Sequence, residues 1–246
     1  MKWSRYYQLE DVFEGITVKK ATSRELYVYK TLFEKYDYSL LTQPDGVTHI
    51  IQDLDQIDLS KPPAHLGGYW RSSRYSRIDP DSAQQTFRFK LQLNDANRQM
   101  LAKIQAQKCP VVLQIRRGDY VGIAHDVTTP QYFQRGIEHI ISSMAPVTPH
   151  FFVFSDEIEY CKQLLKNNRE EFTFVEINDN DHGAFDMYLM TKCRHFVISN
   201  STFGFWGAML SREAENKIVV MPDRWLKGVK ERMVSPYKGW VNISVD

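Results

Sequence analysis

The chain has 246 residues, 43% of them hydrophobic, 13% aromatic and 25% charged. That length holds one large domain or two modest ones, and the apolar share is enough for a real core. A formal net charge of +1 excludes global steering toward nucleic acid or an anionic membrane, so any anion site must be local.

Cys109, Cys161 and Cys193 are the only cysteines. Their number is odd and no pair has zinc-finger spacing, so buried free thiols in a reducing compartment are expected. The start, Met1 to Tyr7, lacks the apolar h-region of a signal peptide, and no stretch reaches the length of a transmembrane helix. The expected location is cytoplasmic, with peripheral association at the inner face of a membrane left open. Asn200-Ser201-Thr202 and Asn242-Ile243-Ser244 fit the glycosylation pattern, which is without meaning in the absence of secretion.

Residues 1–105 are rich in aromatics and irregular in pattern. Residues 22–37 read as a helix, capped by Thr22 or Ser23 with Glu25 near its start. Turn signals follow at Pro44-Asp-Gly46 and Lys61-Pro-Pro63. Gly67-Gly68-Tyr69-Trp70 is a tight turn beside a packed ring or, less simply, a platform for a sugar or base. Residues 94–107 read as a helix with Asn94 as cap.

From residue 108 onward strand and helix alternate. Strands are expected at 111–115, 151–154, 172–177, 195–199 and 217–221. Helices are expected at 130–143, from Ser155 or Asp156 through Leu165, at 184–193, and from Asn200 to about Arg212. Short connections between such elements predict an α/β fold with a parallel sheet and helices on both faces.

The stretch Pro110-Val-Val-Leu-Gln-Ile-Arg-Arg-Gly-Asp-Tyr120 is a buried strand that ends abruptly in charge. Ligands of open α/β sheets bind beyond the carboxyl ends of strands. Guanidinium groups placed there fork onto phosphate oxygens. Taken alone, Arg116 and Arg117 are more ordinarily solvated surface, or one of them pairs with Asp119. Polar clusters recur after two further strands, at Ser155-Asp156 and Asn200-Ser201-Thr202. In a parallel sheet all three share one edge, and Ser201 and Thr202 sit at a helix start, where free amides favour an anion. The three together predict a crevice for a phosphorylated ligand. The chain has neither a P-loop nor a G-x-G-x-x-G fingerprint, and its histidines form no zinc pattern. The Asp-x-Asp triplets at Asp53/Asp55, Asp79/Asp81 and Asp179/Asp181 are read as solvated loop.

Read as text, the three clusters resemble the motifs of the α-1,2-fucosyltransferases, glycosyltransferase family 11. Gln114-Ile-Arg-Arg-Gly-Asp-Tyr120 is similar to the family's His-x-Arg-Arg-Gly-Asp-Tyr, and Phe154-Ser-Asp156 to its second motif. The run from Asp186 through Asn200-Ser-Thr-Phe203 to Leu210 is similar to its third and longest motif. Tyr6-Tyr7-Gln8-Leu9-Glu10 with Phe13 looks like an early family segment.

The resemblance implies two facing Rossmann-like domains of the GT-B type: an acceptor side over 1–105 and a donor-binding domain over 106–246. It implies inverting, metal-independent transfer of fucose from GDP-fucose, as co-substrate, to the 2-hydroxyl of a galactose-terminated glycan. No cofactor and no nucleic acid are involved. Arg116, Arg117 and Asp119 are the implied catalytic group, with Asp119 orienting an arginine or making a structural ion pair. Donor contacts are implied for Gln114, Arg116, Arg117, Tyr120, Ser155, Asp156, Asn200, Ser201, Thr202 and Phe203. Two departures stand out. Position 114 is glutamine where the family has histidine, and glutamine cannot take up a proton near neutral pH. The family's Gly-Gly-Leu-Gly-Asn-Gln segment is not found, so the N-terminal domain is expected to be incomplete. The alternatives are a GDP-sugar-binding relative without transferase activity, or a transferase for another GDP-sugar.

Overall fold

The structure is a computed structural model and describes residues 8–25, 27, 79–228 and 237–246. The chain forms two compact units: Met1–Ile16 with Pro80–Asp246, and Thr17–Asp79. In the second unit the Glu25 carboxylate accepts from the Thr22 amide at 2.7 Å and hydroxyl at 2.8 Å, while the Thr22 hydroxyl accepts from the Glu25 amide at 3.2 Å. This reciprocal capping box is the expected helix start. The rest of that helix to residue 37 lies outside the described residues. So do the turns at 44–46 and 61–63, the Gly67–Trp70 patch and the Asp53/Asp55 triplet.

The first unit is built on six strands: β1 (Pro110–Ile115), β2 (His150–Ser155), β3 (Glu171–Phe174), β4 (His195–Ile198), β5 (Val219–Pro222) and β6 (Trp240–Ile243). They lie in the order β3-β2-β1-β4-β5-β6, and every neighbouring pair is parallel. Among the described residues three helices precede the sheet: α1 (Leu9–Val12), α2 (Pro80–Thr86) and α3 (Asp95–Gln105). Four more follow in the crossovers: α4 (Pro130–Met144), α5 (Ile158–Leu165), α6 (Gly183–Met190) and α7 (Thr202–Leu210). The chain runs outward from β1 through β3, then returns to the other side of β1 with β4. The β1/β4 boundary is thus the point where strand order reverses, the usual ligand crevice of such sheets.

Alternation along the strands divides the core. Val111, Leu113 and Ile115 pack with Tyr132, Ile137 and Ile140 of α4 and Cys161 and Leu165 of α5. Val112, Phe152, Phe154, Phe196 and Ile198 pack on the other face with Met100 and Ile104 of α3, Leu189 and Met190 of α6, and Ala208 of α7. Every residue of β1 is buried, as a continuous apolar run covered on both faces requires. All three cysteines are free and buried.

The caps explain several boundaries. Asn94 caps α3 by accepting from the Asn97 amide, and Thr129 caps α4 with Pro130 in its first turn. Four expectations are corrected. Helix α5 begins at Ile158, and its N-cap, Glu157, makes no side-chain cap bond, because Asp156 is drawn to the arginines. Strand β3 ends at Phe174 rather than residue 177. Helices α6 and α7 stop at Met190 and Leu210, short of Cys193 and Arg212. Strand β6 and helix α2 carry no forecast at all.

Gly136 in α4 faces the sheet so closely that a Cβ there would stand 2.7 Å from Val197 and 3.3 Å from Val220. Overpacking of this kind costs ~1–3 kcal/mol. Gly136→Ala is therefore expected to lower the thermal midpoint by several degrees, read by circular dichroism.

Candidate donor-binding site

The site begins where β1 leaves the core. The Arg116 amide donates to the Ser199 hydroxyl at 2.9 Å, and that hydroxyl donates to the Gln114 carbonyl at 3.2 Å. The Ser199 amide donates to the Gln114 carbonyl at 3.0 Å and reaches its side-chain oxygen at 3.2 Å. Strands β1 and β4 thus stay stitched together just past their ordinary ladder. Beneath this seam the buried Tyr132 hydroxyl donates to the Ile198 carbonyl at 2.6 Å.

The two arginines then diverge. The Arg116 guanidinium contacts Asp156 at 3.0 Å and Asp119 at 2.7 Å, with a second contact from its Nε to Asp119 at 3.1 Å. Its centre lies 5.7 Å over the Tyr120 ring. Arg117 turns the other way and lays its guanidinium 4.1 Å over the Tyr160 ring of α5, a cation–π contact. Its amide donates to Asp156 at 2.9 Å. Asp156 therefore holds the backbone of one arginine and the side chain of the other. Gly118 is required for this, because a Cβ there would stand 2.4 Å from an Asp156 carboxylate oxygen.

The other expected residues are disposed unequally. Asp119 does hold Arg116, as one of its two readings had it. Ser155 accepts from the Glu157 amide at 3.0 Å, a turn-forming role. Ser201 caps α7, its hydroxyl accepting from the Phe203 amide at 3.3 Å. Thr202 is exposed and Phe203 half-buried at the start of that helix. Gln114 and Asn200 are 4% and 0% exposed. The Gln114 side-chain oxygen is engaged by Ser199, and a Cβ on Gly204 of α7 would come within 2.6 Å of it, so the glutamine fills the seam under the helix. The Asn200 amide donates to the His125 carbonyl at 2.9 Å and the Trp225 carbonyl at 2.8 Å. Asp179, in one Asp-x-Asp triplet, caps a short 3-10 turn by accepting from the Asp181 and His182 amides.

With this geometry in view, the comparison with known proteins is direct. A family model described as glycosyl transferase family 11 matches residues 33–244. The chain belongs to this family. It is 32% identical over 136 residues to the O-antigen biosynthesis glycosyltransferase WbnK of Escherichia coli, covering 53% of this chain and 43% of that protein. It is 28% identical over 185 residues to an alpha-1,2-colitosyltransferase of Escherichia coli, covering 72% of this chain and 61% of that one. The chain thus spans about half the length of these curated relatives. Among solved structures, POFUT1 in complex with GDP is 18% identical with a TM-score of 0.40, over 56% of this chain and 48% of that one.

Several residues that shape the site of this family 11 chain were not singled out by pattern. Ser199 was read only as the end of a strand, although a hydroxyl closing an apolar run is a signal for a bond at a strand end. Tyr160 of α5 packs against the core and also carries Arg117. Asp186, which opens the third motif, sits on α6 and accepts from Asn178 at 2.7 Å. Asn178 in turn exchanges two side-chain bonds with Asn97, at 2.9 and 3.0 Å, so the network ties α3 to α6.

Burial raises the Asp186 carboxyl to about 6, against the lowering effect of its bond from Asn178. A raised acid favours the protonated native state. Its contribution to stability is therefore present below the unfolded value near 4 and lost as pH rises through about 6. His195 runs oppositely: burial, the larger cause, and the nearby Arg194 charge depress it to about 4. Its contribution is present above about 6.5 and lost as pH falls toward 4. Asp186→Asn isolates the first effect. Urea midpoints measured from pH 4 to 7.5 are expected to show the variant gaining on the wild-type protein as pH rises. A difference independent of pH would contradict the assignment.

Proposed function

We propose that the β1/β4 crevice binds the diphosphate of a GDP-sugar and that the protein transfers fucose from GDP-fucose to the 2-hydroxyl of a galactoside, with inversion. The reading is carried by one observation: two arginines at the carboxyl end of β1, one aligned by Asp119 and Asp156, beside the start of α7. When the sugar–oxygen bond breaks, its electron pair leaves with the β-phosphate and positive charge grows on the sugar ring. The acceptor oxygen bonds to the opposite face of the anomeric carbon and gives up its proton to a general base lying beside the acceptor hydroxyl. Guanidinium groups held at this edge stabilise that charge with little reorganisation, which supports a metal-independent transfer. Arg116 and Arg117 are assigned this role, Asp119 and Asp156 orient Arg116, and Thr202 and the first turn of α7 lie where phosphate oxygens are favoured.

The proposed donor domain is residues 106–246, with the acceptor, a galactose-terminated glycan, approaching from a second, facing domain. A cytoplasmic location at the inner face of a membrane accompanies this reading. Among the described residues no helix is long and apolar enough to cross a membrane. A second reading differs only in the sugar: the likeness to a protein named for colitose transfer supports a related deoxy sugar on the same nucleotide.

Calorimetric titration with GDP, GDP-fucose and GDP-mannose tests the donor. Binding of none would defeat both readings, and binding without GDP release across a panel of galactosides would leave a donor-binding protein that is not a transferase. Arg116→Ala is expected to weaken GDP-fucose binding by about 10- to 100-fold, the loss typical of charge-assisted bonds. Unchanged affinity would remove the central assignment.

A further inference from the structure

We infer that Asn200 is a positioning residue that clamps the two loops flanking the crevice, and so fixes where the arginines stand. The inference rests on the donor reading above and assigns Asn200 no contact with the donor. The arginine-bearing loop is tied at both ends to adjacent residues past β4. It leaves β1 at Arg116, whose amide is held by the Ser199 hydroxyl. It ends at His125, whose carbonyl is held by the Asn200 amide. The other hydrogen of that amide group holds the Trp225 carbonyl, in the loop that follows β5.

Two further bonds join the same loops. The Lys227 amide donates to the Ala124 carbonyl at 2.7 Å, and the Lys227 ammonium reaches Asp126 at 3.3 Å. The lysine–aspartate pair is exposed to solvent and is worth little alone. Asn200 is fully buried, where its donors have no water to exchange for the carbonyls they hold. Asn200, together with the Lys227 backbone bond, therefore sets the separation of the loops after β1 and β5. The Asn200 side-chain oxygen is buried with no hydrogen-bond partner. The residue is thus kept for its two donors, which an isosteric carboxylate lacks.

Asn200→Asp keeps the shape and turns acceptor oxygens toward two carbonyls. Protonation restores a single donor, so the defect is expected to ease as pH falls. GDP-fucose is the probe, titrated from pH 5.5 to 8.5, with the wild-type protein as reference. His125, Asp126 and Arg117 on the loop after β1, and Asp223, Arg224 and Lys227 on the loop after β5, are present in both proteins, so a change in the ratio of affinities with pH arises from the substitution at residue 200. The variant is expected to bind about tenfold or more weakly at pH 8, as misplaced contacting groups do, and to recover toward the wild-type value at pH 5.5. Asn200→Ser, too short to span both carbonyls, is expected to show the loss without the recovery. Wild-type affinity in both variants at all pH values would overturn the clamp.

Hydrogen exchange gives a readout independent of the donor. In the unaltered protein, peptides covering Arg117–Val127 and Asp223–Gly228 are expected to open together, and in Asn200→Asp both should exchange faster. Loops that open independently would defeat the clamp even if the variants do not fold. Failure of the wild-type protein to bind GDP-fucose would defeat the donor reading and leave this measurement to decide the clamp.

Discussion

Everything at the crevice depends on the seam between β1 and β4. These strands are neighbours in space and far apart in sequence, and their parallel pairing covers only Val111 to Gln114 on one side and His195 to Ile198 on the other. The Ser199 hydroxyl, bonded on both sides, carries the pairing one step further. Gln114 fills the space beneath, where Gly204 lets α7 come close. Without that extension the chain would be free at the residue where it must deliver an arginine. The helix start, the arginines and Asp156 meet because the strand order reverses at this seam, not because any one of them is close to another in sequence.

The electrostatics follow from the same crowding. Arg116 stands between two carboxylates, which hold it in place while diluting its charge. Arg117 has an aromatic ring beneath it, and a ring holds a guanidinium without neutralising it. The pair is held in two ways: one cation by counter-charges, the other by a ring. In a chain with a net charge of only +1, the field at this edge is set by the local arrangement of these charges rather than by the total.

The sequence made the central strands plain. A run such as Val111 to Ile115 has no comfortable alternative to a strand covered on both faces, and Thr129-Pro130 announces its helix by capping chemistry. The recurrence of polar clusters after strands was enough to bring those clusters to one edge of the parallel sheet. The failures have a common physical origin. Strand β6 is four residues at a sheet edge, each only half-buried, and its pairing with β5 is decided by tertiary contacts. The side of the fold to which Asn200 and Gln114 turn was equally hidden. Both are polar residues inside motifs shaped like ligand contacts, and both direct their hydrogen bonds inward. Type and spacing do not separate a group that binds a ligand from a group that binds the backbone holding the ligand's partners. Asp156 illustrates the converse, since it was legible both as a helix cap and as a site residue, and its carboxylate holds both arginines.

Near residue 13 the backbone meets the segment that follows α2. Phe13 and Phe89 form an antiparallel bridge, the Glu14 amide donates to the Arg88 carbonyl at 2.8 Å, and the Lys90 amide to the Val12 carbonyl at 2.9 Å. The rings of Phe87 and Phe89 lie 5.3 and 4.7 Å from that of Phe13. In the sequence the unit Thr17–Asp79 is inserted between the two segments of the first unit that this clasp joins. In polymer terms the loop is already shut at its base, so the entropy of bringing its ends together is met by the host fold and grows only slowly with insert length. Such a join lets one segment of the chain change in length and sequence while the sheet, and the crevice at its carboxyl edge, keep their register.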